Sequence, residues 1–146
     1  MPLKAVGNTD YNGNNPPKYL NAEFNYVSVK DADGKWVDVQ NGVRIKVKAG
    51  APVLCRASAG NTQSATWIAP VKAKGVKGAV YLAAVPGTEV QSRGPITADT
   101  PCFADAEIPE FILSQSVNKE TKVVLQMTAE GRAWFGEKVE FILTSQ

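Results

Sequence analysis

The side chains best suited to binding chemistry are cations and indole rings set close together in the first half of the chain. Arg44, Lys46, Lys48, Arg56, Lys72, Lys74 and Lys77 stand near Trp36 and Trp67. Cations interleaved with stacking rings are what a groove for single-stranded nucleic acid needs, and flat indole faces also suit the apolar faces of sugars. The same residues have a plainer reading. Cations at every second position of a strand, here Arg44, Lys46 and Lys48, keep an exposed face soluble. A net charge of +2 is small for a nucleic-acid protein, so nucleic acid is not the expected partner. Trp67 before Ile68 and Trp134 before Phe135 read more readily as core than as a platform. If there is a ligand face, it is Trp36, Arg44, Lys46, Lys48 and Trp67.

No catalytic constellation accompanies them. The chain has no His, which removes His-based triads, facial triads and mixed Cys/His zinc sites. Cys55 and Cys102 lie far apart without a CxxC pair, each beside an apolar neighbour, and read as buried free thiols. A disulfide between neighbouring strands is the alternative. Asp31-Ala32-Asp33-Gly34-Lys35 opens faintly like a calcium loop. Lys35 then stands where a ligand is needed, and Gly42 stands where the closing Glu belongs, so the segment reads as a hairpin turn. Asp99, Asp105, Glu107 and Glu110 supply acids without an arrangement that singles out a pair. Gly75-Val76-Lys77-Gly78 lacks the spacing of a phosphate-binding loop. No catalytic residue, cofactor or metal is assigned, and an enzyme is not expected.

The elements that must carry these residues are strands. From Glu23 the apolar residues alternate, and Val43, Ile45 and Val47 alternate with Arg44, Lys46 and Lys48 behind Asn41-Gly42, the signature of a type I′ hairpin turn. That register puts Val43, Ile45 and Val47 inward. Further strands are expected over 52–56, 65–71, 78–85, 89–93, 108–115, 122–128 and 138–144, with Pro70 marking an edge or bulge and one short helical turn within 100–107. Nine or ten short strands punctuated by 12 Gly and 9 Pro predict an all-β, single-domain β-sandwich or jelly roll over 21–146. Glu110-Phe111-Ile112-Leu113 recurs as Glu140-Phe141-Ile142-Leu143, which predicts two buried strands of similar make and a C-terminal strand tied into a sheet.

Residues 1–20 differ in kind. Gly7, Gly13, Pro16, Pro17 and four Asn interrupt any apolar period, which predicts an extended arm ordered only against a partner, with Tyr11, Asn15, Pro16, Pro17 and Tyr19 as its contact residues. The start shows no apolar block of signal-peptide length, and no run of about 18 apolar residues occurs, so neither secretion nor a membrane span is expected. Charge is uneven: residues 1–80 carry 11 Lys+Arg and 5 Asp+Glu, and residues 81–146 carry 5 and 9. A sandwich interleaves both halves of its chain, so this asymmetry need not become a surface dipole.

An unsecreted small β domain behind an Asn/Pro/Gly-rich arm at Met1 to Leu20, with the β pattern from Phe24 onward and no His, resembles the head decoration, or cement, proteins of tailed bacteriophages. The resemblance implies a non-enzymatic virion protein made in the host cytoplasm. It would stabilise a capsid by bridging the major capsid protein or other virion subunits, as a homo-oligomer on a lattice. Deleting residues 1–20 would then spare the fold and abolish assembly. The competing reading is a small binding module for glycan or single-stranded nucleic acid.

Overall fold

The computed structural model describes residues 20–70, 78–86, 92–131 and 133–145. Among them the chain forms nine strands: β1 (Ala22–Lys30), β2 (Trp36–Asp38), β3 (Arg44–Lys46), β4 (Val53–Asn61), β5 (Val80–Ala84), β6 (Arg93–Pro95), β7 (Asp105–Ser114), β8 (Thr121–Ala129) and β9 (Ala133–Thr144). They build a four-stranded sheet, β2-β1-β4-β7, and a five-stranded sheet, β3-β9-β8-β5-β6. All pairs are antiparallel except β3 with β9.

The inward residues of the two sheets form one core, including Val29, Cys55, Ala57, Ile108, Leu82, Leu125, Met127, Phe141 and Leu143. The fold is therefore the expected all-β sandwich. Reading β4, β5, β7, β8 and β9 as strands B, C, E, F and G reproduces the immunoglobulin-type arrangement, in which B pairs with E while C, F and G pair in the facing sheet. Cys55 stands on the B-like strand, but β8 carries no cysteine opposite it across the core.

Period-two patterning placed Val43, Ile45 and Val47 correctly: Ile45 and Val47 are buried, Val43 packs against the core, and Arg44 and Lys46 face out. The turn before them is different from the expectation. Asn41-Gly42 does not close a hairpin, because β2 pairs with β1 while β3 joins the other sheet. Val43 N–H donates to Gln40 C=O at 3.0 Å, and only Gly42 has a positive φ, 84°. A positive φ at the second central residue alone defines a type II turn, which splays its arms where a type I′ turn would pair them. Here the splayed arms carry the chain from one sheet to the other. Asn41 Oδ1 accepts the amide of Glu140, and Gly42 N–H donates to the carbonyl of Glu140, which fixes the crossing onto β9.

The Asp31–Lys35 segment is the hairpin turn it was expected to be, joining β1 to β2. Asp31 Oδ1 accepts the amides of Asp33 and Lys35, each at 2.9 Å, and Gly34 takes a φ of 79°. Residues 65–70 are not a strand but isolated bridges, among them Trp67 to Thr100 and Ile68 to Ala79. Pro70 ends them as a turn residue, and 71–77 and 87–91 lie outside the described residues. The helical turn expected within 100–107 is absent: Pro101 to Ala104 is a tight turn that leads straight into β7.

The last strand is tied in on both sides, by β8 and by β3, with Val47 N–H donating to Thr144 C=O at 2.8 Å. The repeated Phe-Ile-Leu segment is better seated in β9, where Phe141 and Leu143 are buried and Ile142 is half-buried. In β7, the sheet edge, Ile112 points out and is 43% exposed. Leu20, expected to end the arm, is part of the core, and residues 1–19 lie outside the described residues.

Candidate functional site

The residues expected to form a ligand face do not meet. Trp67 is fully buried and stacks on Phe135 with ring centroids 5.5 Å apart at 60°. Its indole N–H finds no partner among the described residues. Arg44 and Lys46 stand on β3 in the five-stranded sheet, with Arg44 paired to Glu120, and Lys48 is exposed just beyond them. Trp36 belongs to the other sheet. The Asn41-Gly42 crossing puts Trp36 on a different sheet from Arg44 and Lys46, although Val37 beside it lines one cleft with Asp31, Asp33, Arg44 and Lys46. Tyr11, Asn15, Pro16, Pro17 and Tyr19 lie outside the described residues.

Three ion pairs occur among the described residues: Arg44 to Glu120 joins the cation-rich first part of the chain to the acidic second half, and Arg93 to Glu130 lies within that second half. The third, Lys122 to Glu140 at 2.8 Å, ties β8 to β9. Interleaving thus offsets part of the sequence asymmetry. The two cysteines are both free, but only Cys55 is buried. Cys102 is half-buried in the loop before β7. Burial pushes the Cys55 thiol up to about 12, so at neutral pH it is a neutral core group and no nucleophile. No group of three or more His, Cys, Asp or Glu with metal-binding geometry occurs among the described residues. No described helix is long and apolar enough to cross a membrane.

What the structure does assemble is the outer face of the four-stranded sheet. Val29, Cys55, Ala57, Ala106 and Ile108 point inward, so Lys30, Arg56, Ser58 and Glu107 point outward. Register sets them in rows. Glu23, Gly60 and Asp105 form one row across β1, β4 and β7, and Tyr26, Ser58 and Glu107 the next. Asp38, Ser28 and Arg56 follow, and Trp36 opposite Lys30, with Leu54 opposite Ile112, closes the far end. A bulge at Asn25 lets its amide donate to both Ser58 Oγ and Asp105 Oδ1 at 3.0 Å. Ser28 Oγ donates to Asp38 at 2.7 Å. At the far end the Arg56 guanidinium lies 4.2 Å over the Trp36 ring, with Lys30 Nζ at 5.8 Å.

Beyond the acidic end of this face lies the feature that sequence reading missed. Phe103 is 78% exposed and adopts a φ of 68°, the one positive φ outside glycine among the described residues. It occupies the position of a type II turn that Gly or Asn normally fills, with Ala104 N–H donating to Pro101 C=O at 3.0 Å. The strain is held by Asn61, itself fully buried. Its carbonyl accepts the Phe103 amide, its Nδ2 donates to Ala65 C=O and Thr100 C=O, and its Oδ1 accepts Gln63 N–H. A Pro-Cys-Phe-Ala sequence carries no mark of this, because the partner that imposes the turn is about forty residues earlier in the chain.

No family model matches the chain, and no curated protein matches it.

Proposed function

We propose that this protein is a non-enzymatic structural protein of a virion that decorates a capsid and stabilises it by bridging its subunits. The observation that carries the reading is the nature of the exposed surface. Tyr26, Phe103, Ile112 and Trp134 are presented to solvent on a rigid sandwich, with Phe103 held out at a backbone cost. Such groups serve contact with another protein better than they serve chemistry. Support also comes from the way the sheet edges are blunted. Pro95 and Pro109 interrupt β6 and β7, and the bulged, acidic β7 offers a poor template for uncontrolled strand addition.

The glycan or single-strand reading loses support, since Trp67 is core, Arg44 is paired and Arg56 covers Trp36. The test is velocity sedimentation of the native protein from lysate of its source. Migration with megadalton particles supports the reading, and removing residues 1–19, ahead of the buried Leu20, should release the protein from them without unfolding it. Migration as a small species overturns it.

A further inference from the structure

The outer face of the four-stranded sheet carries charges that have no ion-pair partner among the described residues. On the facing sheet, Arg93 lies 4.1 Å over Tyr81 and is also paired with Glu130. Arg56 lies over Trp36 in the same manner, yet neither it nor Lys30 has a carboxylate partner among the described residues. At the opposite end of the same face, Glu23 and Glu107 have no cation partner among the described residues, and Asp105 accepts from the Asn25 amide. From Gly94 to Asn118 the sequence holds four acids and no Lys or Arg. Carboxylates also border the cationic end: Asp38 is engaged by Ser28, Asp31 by the amides of its own turn, and Glu110 lies in the β7 bulge opposite Arg56.

We infer that this face docks onto a second copy of the chain, the two sheets packed face to face with their strands antiparallel. A two-fold axis in the plane of contact, across the strands, lays Glu23, Asp105 and Glu107 of each copy against Lys30 and Arg56 of the other. It also brings Phe103 of each copy towards the row formed by Trp36, Leu54 and Ile112. The contact is isologous, so every complementary pair occurs twice. Six residues separate the two ends along β4, roughly 20 Å, and four strands span roughly 19 Å across. In projection that footprint is roughly 400 Å² before the Phe103 turn is added, the scale of a weak, salt-sensitive contact below the roughly 800 Å² per partner of a standard interface. The small, hydrogen-bonded Ser28 and Ser58 at the centre leave the middle of the face flat enough for two sheets to approach.

The inference concerns two copies of the chain and no particle, so it stands or falls apart from the virion reading. It is tested by sedimentation equilibrium of the purified full chain at low and high salt. The expected result is a dimer that weakens about tenfold or more as salt rises. Arg56→Glu and Glu107→Arg should each weaken it about tenfold or more, and the Arg56→Glu/Glu107→Arg double variant should restore it to within about threefold. Circular dichroism of each variant reports the fold separately. A chain that stays monomeric throughout, or a dimer indifferent to both single changes, overturns the inference.

Discussion

The main-chain carbonyl of Asn61 accepts the amide of Phe103 at 2.7 Å, while the amide of Asn61 donates to Ala104 C=O at 2.9 Å. A buried polar residue at the end of one strand thereby dictates the backbone of an exposed aromatic ahead of another. The Asn61 side chain reaches two further loop carbonyls, so one residue gathers three segments at this end of the sandwich.

Asn61→Ala should therefore be costly. It would leave the carbonyls of Ala65 and Thr100 and the amide of Gln63 without their partner, in a place where Asn61 is fully buried. A loss of about 2–4 kcal/mol is expected in urea unfolding. A loss below about 1 kcal/mol would mean that the loops are held by other contacts.

Phe103→Asn should do the reverse. Asn tolerates a positive φ, so relieving the strain at 68° should raise stability by about 1 kcal/mol. The same change removes an exposed ring that sits at the acidic end of the sheet face. Thermal melts and sedimentation of this one variant should move in opposite senses, towards a firmer fold and a weaker association. Unchanged association would show that the ring takes no part in it.

Core substitutions test the register of the strands. Ile45→Asp places an unpaired charge among buried residues and should unfold the domain. Gly94→Ala is a milder probe: a Cβ there would meet the Phe111 ring at 2.4 Å and Ile108 at 2.8 Å, where β6 lies on β7. About 1–3 kcal/mol should be lost by overpacking, and Phe111→Leu in the same chain should recover part of it.

The buried thiol of Cys55 gives the fold an alkaline limit. In the unfolded chain the thiol ionises near 9.0, whereas in the native state burial holds it protonated to about 12. Between those values the unfolded state binds fewer protons, so stability falls as pH rises, at up to about 1.4 kcal/mol per pH unit. Below pH 9 the thiol has no influence. Cys55→Ala should flatten the slope of unfolding free energy between pH 9 and 11, and a slope that stays the same would assign it to other groups. In native protein a thiol reagent should modify the half-buried Cys102 well before Cys55.

What the sequence disclosed was local. The alternation of Val43, Ile45 and Val47 fixed which side of the strand faces the core, since a period of two depends only on near neighbours. Asp31 to Gly34 announced its hairpin for the same reason: the Asx contacts lie within four residues. Asn41-Gly42 misled because its turn type is set by Glu140, about a hundred residues away. Trp36 and Trp67 are alike on paper, yet one lies beneath Arg56 at the surface and the other is sealed against Phe135. The outer-face rows depend on pairing between β1, β4 and β7, which no local pattern records.

β9, the last of the nine strands in sequence, lies between β3 and β8. During synthesis the first sheet can pair once β7 has emerged, whereas β3 has no neighbour until the segment up to Thr144 is made. Until then Ile45 and Val47 lack the strand that completes their cover. The nascent chain therefore carries an open apolar edge until β9 has been made, and the second sheet closes around that one strand.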